Sequence, residues 1–155
     1  TAVTIGGGIS GSEIKKTGTQ LTSDRDGFHV GVTAVTGDLT VGVGFGDGDS
    51  FDDDGAATAN TPVQIDGSVT KAGIKYVTGD ITLALGVTSG EAKDGAFGTA
   101  GTTDDSNDST SASVTYAVAS GVSAVLGYTT VDTNNEGQST TDGGSAWYIG
   151  ASMSF

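Results

Sequence analysis

Apolar and small or polar residues alternate along most of this chain. Between residues 28 and 34 the apolar positions are Phe28, Val30, Val32 and Ala34. Alternation of this kind predicts a β-strand with two unlike faces. No segment shows the 3.6-residue period of a helix. The same spacing recurs in 39–45, 72–76, 81–87, 112–118, 122–128 and 147–155.

Eight strands follow from this pattern, joined by connections that alternate between short and long. The short ones contain Gly37, Gly79 and Gly121, within repeats that begin VTGDLTVGVGF, VTGDITLALGV and VASGVSAVLGY. The long ones are rich in Gly, Ser, Thr, Asn and Asp, near 10–26, 47–66, 90–109 and 132–144. An up-and-down sheet with its long loops at one end is therefore predicted, as a single domain over 1–155. The strands are predicted near 1–9, 27–35, 39–46, 67–77, 81–89, 110–118, 122–131 and 145–155.

Charge is kept away from these strands. All 19 carboxylates are predicted in connections or at strand edges, and the less apolar face carries Thr, Ser, Gly and Ala. Its ionisable residues are His29, Lys71 and Lys75. A soluble sheet would place many charges on its wet face. Strands of about ten residues with one apolar and one mildly polar face are typical of transmembrane β-barrels.

Composition narrows the classes of partner. A formal net charge of −13 argues against nucleic acid and favours cations or simple solubility. There is no Cys, and no apolar run approaches the ~18 residues of a membrane helix. Because the sequence lacks both an initiator Met and a signal peptide, we expect a processed mature protein or a fragment of a longer one.

The last residues, SAWYIGASMSF, place Trp147, Ile149, Ala151, Met153 and Phe155 on one face. This segment resembles the final strand of bacterial outer-membrane barrels, which ends in an aromatic residue. With its VTGD turns and acidic loops, the chain resembles the C-terminal half of a general diffusion porin of the alphaproteobacterial type. The resemblance implies a bacterial outer-membrane location, a homotrimer, and a transmembrane channel for ion transport and passive diffusion of small hydrophilic solutes.

Side-chain size favours part of a larger barrel. An eight-stranded barrel has an interior that side chains just fill, whereas 16-stranded porins enclose water. A face of Gly, Ser, Thr and Ala could not fill a small barrel. The chain is therefore predicted to form part of a 16-stranded barrel, and a complete small barrel with a wet interior is the alternative.

Two sets of candidate residues follow from the barrel interpretation. Lys71 and Lys75 lie four residues apart on one face, where they could steer anionic solutes or simply be solvated. His29 has no second His as a metal partner, and a wall role is favoured. The predicted pore-lining residues are His29, Lys71, Lys75, Thr82 and Thr129. The predicted aromatic girdle at the membrane boundary comprises Phe28, Phe45, Tyr76, Tyr128, Trp147 and Phe155.

The segment GDGDSFDDDG, residues 46–55, is a weak candidate for Ca²⁺ or Mg²⁺, which prefer oxygen ligands. It does not follow the EF-hand pattern, since Phe51 stands at a ligand position. A solvated acidic loop, or loose bridging to outer-membrane lipid through divalent ions, is favoured over an ordered site. No other cofactor is predicted. The candidate ligands are Asp47, Asp49, Asp52, Asp53 and Asp54.

The sequence predicts no enzyme, because it has one His, no Cys and no phosphate-binding loop between a strand and a helix. Two other functions stay open. One is a secreted or phage-borne β-sandwich with a structural or adhesive role, which would bury the apolar face against a second sheet. The other is a small eight-stranded barrel that does not conduct.

Overall fold

The computed structural model describes residues 1–14, 23–52, 63–94, 105–134 and 142–154. They form eight strands in one antiparallel sheet, in which each strand pairs only with its neighbours in sequence. This confirms the predicted all-β, up-and-down fold. No helix in these residues has the length and hydropathy to cross a membrane. The strands are β1 (Ala2–Ile14), β2 (Ser23–Thr36), β3 (Leu39–Asp52), β4 (Val63–Thr78), β5 (Ile81–Asp94), β6 (Asp105–Ala119), β7 (Val122–Asn134) and β8 (Asp142–Met153).

The sheet is a single open layer. β1 and β8 form its two edges, and within the described residues no strand contacts any strand but its sequence neighbours. Those residues contain no buried hydrophobic side chain, so no core lies between two layers. The β-sandwich interpretation required Leu83 and Leu126 to pack against a second layer, and they are 43% and 53% exposed. That interpretation is wrong for this part of the chain.

Three two-residue turns join β2 to β3, β4 to β5 and β6 to β7. Gly37 and Gly79 each occupy the first turn position with φ of +56°, and Gly121 occupies the second with φ of +74°. Positive φ at the first position suits the tight hairpin turns whose twist matches that of the strands. The third turn differs because its strand pair has a register shift between Ala117 and Ala119.

Replacing Gly79 by Ala should destabilise the protein by roughly 1–2 kcal/mol, since a Cβ at positive φ crowds the backbone. Gly144→Ala is the control, because Gly144 does not have a positive φ and a Cβ there would meet nothing within 4 Å. Chemical denaturation of the detergent-solubilised protein would measure both variants. Equal unfolding midpoints for the two would show that the turn does not depend on the positive φ.

The strands are longer than the sequence predicted. β5 ends at Asp94 instead of near 89, and β3 ends at Asp52 instead of near 46. Hydrophobic alternation stops at the edge of the apolar region, whereas backbone pairing continues past it. The prediction that no carboxylate lies within a strand is therefore wrong, although each lies at the long-loop end. These residues are Glu13, Asp24, Asp26, Asp47, Asp49, Asp52, Asp66, Glu91, Asp94, Asp105, Asp108, Asp132 and Asp142.

The tight turns are staggered along the sheet. Tyr76 lies opposite both Leu39, the first residue of β3, and Leu83, the third residue of β5. The second turn is thus displaced by two residues from the first across two strands. The third turn is displaced in the same direction, because Ile81 aligns through Tyr116 with Ala124, the third residue of β7. The sheet is therefore sheared by one residue per strand.

Backbone hydrogen bonds hold this stagger at each turn. The amide of Val77 donates to the carbonyl of Asp38 at 2.9 Å, and that of Ala117 donates to Asp80 at 2.8 Å. The amide of Ser154 donates to Gly121 at 2.8 Å. A rise of ~3.3 Å per residue and a strand spacing of ~4.8 Å convert the shear into a strand tilt of about 35°. This value lies at the lower end of the 35–45° range of transmembrane barrels.

Candidate functional site

The face that carries Leu39, Val41, Val43 and Phe45 is here called the apolar face. Cross-strand pairing continues it over the whole sheet, because directly paired residues share a face. One row reads Val3, Ala34, Val41, Ile74, Leu85, Ala112, Tyr128 and Trp147. On β3 and β5 the apolar run spans seven residues, 39–45 and 81–87, about 20 Å along the strand.

The apolar band has the same slope as the turns. On β2 its long-loop edge is Phe28, whose cross-strand row leads through Asp47, Ser68, Glu91 and Ser106 to Asn134 on β7. The edge of the band on β7 is Tyr128, six residues nearer the turn. The edge therefore moves by about one residue per strand. When the strands tilt by the angle that the turns imply, the band becomes a belt of constant height that runs parallel to the membrane plane.

Aromatic residues lie at the two borders of this belt. Phe28, Phe45, Tyr128 and Trp147 occupy the long-loop border, where Tyr128 pairs with Trp147 and the rings of Phe28 and Phe45 are 5.8 Å apart. Tyr76 lies at the turn border. These five predicted girdle residues share the apolar face, and Phe155 lies outside the described residues.

The sequence prediction of the girdle missed Tyr116. It pairs with Ile81 at the turn border of the apolar face and is 48% exposed. The even spacing of Ala112, Val114 and Tyr116 already indicated its face. The spacing did not indicate that Tyr116 lies at the turn border of the apolar band, because that position depends on the stagger between strands.

The opposite face, here called the small-residue face, is richest in glycine on β3. On β3 it consists of Gly42, Gly44, Gly46 and Gly48 beside Thr40. A row across its middle contains no side chain larger than Thr. This row reads Thr4, Thr33, Gly42, Gly73, Gly86, Ser111, Thr129 and Ala146.

The register places all five predicted pore-lining residues, His29, Lys71, Lys75, Thr82 and Thr129, on the small-residue face. It does not gather them into one cluster. His29 and Lys71 border the same shallow groove of about 530 Å³, one on each side of the β3 glycines. Their role as a pore wall stays a prediction.

The sequence analysis overlooked a large side chain on this face. Tyr148 pairs with Gly127, and its ring covers that glycine, the one residue classed as buried within the described part of the chain. His29 covers Gly8 in a similar way. Aromatic rings over strand glycines protect the bare backbone. The sequence pattern that indicates this contact is an aromatic residue paired with a glycine on the next strand. Such a pair can be recognised only when the register is known.

The carboxylates beyond the band lie mainly on the apolar face, above its aromatic border. Asp26, Asp49 and Asp66 follow one another in a single cross-strand row. Asp47 and Asp49, predicted in a loop, therefore lie in β3, as does the backbone of Asp52. No three His, Asp or Glu residues among those described are grouped to hold a metal ion. Asp53 and Asp54 lie outside the described residues, so the five-residue candidate stays untested.

Comparison with known proteins finds similarity in structure alone. No protein-family model matches the chain, and no curated protein matches it in sequence. OmpT lacking loop L8, from Vibrio cholerae, matches 97% of this chain and 49% of its own, with 18% identity and a TM-score of 0.69. OmpT expressed in the outer membrane of Vibrio cholerae matches 98% and 51%, with 21% identity and a TM-score of 0.66. BauA, the ferric preacinetobactin receptor of Acinetobacter baumannii, matches 84% and 28%, with 13% identity and a TM-score of 0.51.

The OmpT matches are to outer-membrane proteins, and the chain spans about half the length of the OmpT structures. The predicted bacterial outer-membrane location is confirmed. The resemblance to outer-membrane β-barrels is confirmed at the level of fold, and the specific porin type is not.

The prediction that the chain is not an enzyme is corrected. Its OmpT matches, at 18% and 21% identity, share the fold alone, and a shared fold does not decide whether a chain is catalytic. The missing motifs of soluble enzymes did not justify that exclusion.

Proposed function

We propose that this chain forms part of an outer-membrane channel through which small hydrophilic solutes diffuse passively. The apolar face contacts lipid and the small-residue face lines a water-filled lumen. The observation that carries the proposal is the middle row of the small-residue face, where no side chain exceeds Thr in size. Such a wall leaves room for water.

The channel works by geometry and solvation. Serine and threonine hydroxyls of the wall keep solutes hydrated as they pass. Lipid stabilises the apolar face, and the tilted ladder pairs the backbone groups of the inner strands within the hydrocarbon. The homotrimer predicted from the porin resemblance is part of this proposal, and one matched OmpT structure is described as a trimer form.

Single-channel recording in a planar lipid bilayer tests the proposal. The protein should give stepwise currents, and detergent without protein should give none. Gly44→Trp, on the small-residue face, should lower the current of each step because the indole enters the lumen. Val43→Trp is the matched control on the apolar face and should leave the current unchanged. Inserted protein without current would refute the channel.

A second candidate is a closed eight-stranded barrel that does not conduct. The fold fits this alternative, since eight strands suffice for a barrel and both free edges, β1 and β8, belong to this chain. In that barrel β1 would pair directly with β8. The porin interpretation instead requires further strands between these edges.

Disulfide crosslinking separates the two candidates, because the chain has no native Cys. Ile5→Cys on β1 can be combined with Ile149→Cys, Ala151→Cys or Met153→Cys on β8, because a stagger of one residue per strand brings Ile5 level with Met153. A crosslink in the membrane-inserted protein would support the small barrel. If additional strands lie between the edges, none of these pairs should form a disulfide. Ile5→Cys with Val32→Cys is the positive control and should form one, because Ile5 and Val32 are paired on β1 and β2.

A further inference from the structure

The two faces of the sheet differ in the sign of their charge. The whole chain has a formal charge of −13, which by itself would favour passing cations. The register separates this charge by face. On the apolar face, the charged side chains described beyond the band are all acidic: Asp26, Asp47, Asp49, Asp66, Glu91, Asp108 and Asp132.

The small-residue face has the opposite character. Within the height of the apolar band its charged residues are Lys71 and Lys75, and His29 and Tyr148 are its other ionisable residues there among those described. Its described carboxylates, Asp105 and Asp142, lie at the long-loop end, beyond the band. The wall along the membrane interior is thus positive.

The two lysines are free to act on a passing solute. Both are exposed, and neither forms an ion pair within the described part of the chain. Lys71 lies between Gly44 and Thr88, and Lys75 lies between Thr40 and Ala84, so no neighbouring side chain across the strands opposes their charge. They stand about 13 Å apart along β4, which spreads the positive potential over the height of the wall.

We infer that this wall makes the lumen prefer small anions over cations, against the sign of the net charge of the chain. This rests on the proposed channel function. Acidic groups outside the lumen are separated from it by the sheet and screened by salt over about 10 Å at 0.1 M. The lysines instead lie on the lumen side of the sheet, with only water between them and the solute. Position, and not the total charge, then decides selectivity.

The reversal potential in a tenfold KCl gradient around 0.1 M tests the inference. The wild-type protein should be anion-selective. Lys71→Gln with Lys75→Gln should lower the chloride-to-potassium permeability ratio about fivefold, as expected for two unit charges ~8 Å from the ion in water, with opposite effects on anion and cation and with screening over about 10 Å. The control Lys71→Arg with Lys75→Arg keeps the charge and should keep the ratio. Glu91→Gln, on the apolar face beyond the band, should also leave it unchanged.

Raising the salt to 1 M should shrink the difference between the Gln and Arg variants, because the screening length falls to about 3 Å. Currents with cation selectivity, or with a ratio that the Gln variant does not change, would overturn this inference while leaving the channel intact. Complete absence of current from inserted protein would overturn the channel, and the inference with it.

Discussion

Leu85→Arg should lower the free energy of unfolding of the membrane-inserted protein by about 2–4 kcal/mol, the cost of a cation facing lipid near the bilayer midplane. Leu85 lies in the middle of the apolar band, between Ile74 and Ala112 of the neighbouring strands. It is 49% exposed, so the substitution removes little protein packing. Guanidinium titration in phospholipid vesicles, followed by the fluorescence of the single Trp147, measures the effect.

The adjacent residue provides the control. Ala84 lies on the small-residue face, so Ala84→Arg should place its guanidinium in water and cost less than about 1 kcal/mol, as lumen-facing substitutions mainly tune selectivity. Equal losses for the two variants would contradict the assignment of the faces. A larger loss for Ala84→Arg would reverse it.

Gly127→Val should destabilise the protein by about 1–3 kcal/mol, the usual cost of inserting carbon atoms into a filled position. The ring of Tyr148 covers Gly127, and a Cβ there would overlap that ring. Tyr148 would have to leave the wall and expose the backbone beneath it. The same denaturant titration, with intrinsic fluorescence, reports the loss.

Two further variants isolate the contact. Gly144 lies on the same face of β8 as Tyr148, and a Cβ there would meet nothing within 4 Å, so Gly144→Val should be close to neutral. In a Tyr148→Ala background, Gly127→Val should lose most of its effect, since the overlapping ring is gone. An unchanged cost in that background would show that strand geometry, not the ring, excludes the valine.

Sequence alone was sufficient for the strands and their faces because the two-residue period is local. Leu39, Val41 and Val43 share a face in any β-strand, whatever surrounds them. The positions of the tight turns were equally local, since Gly37 and Gly79 mark them directly.

Features that depend on pairing between strands escaped the sequence analysis. The strands continue past the apolar band because backbone hydrogen bonds are indifferent to side-chain polarity, so Asp49 and Asp66 could not be assigned to strands by hydrophobicity. The height of Tyr116 and the contact of Tyr148 with Gly127 required the register. The charge difference between the two faces required both the true strand ends and the register.

The uncovered edges of the sheet constrain how the protein can reach its final environment. β1 and β8 present 13 and 12 residues of backbone with one side unpaired. In hydrocarbon each unsatisfied amide or carbonyl costs several kcal/mol, so an eight-stranded ribbon with bare edges cannot dissolve in lipid. Insertion must therefore be coupled to strand pairing. The edge strands have to pair before or while the sheet enters the bilayer, because unpaired edges would otherwise bind other chains and aggregate.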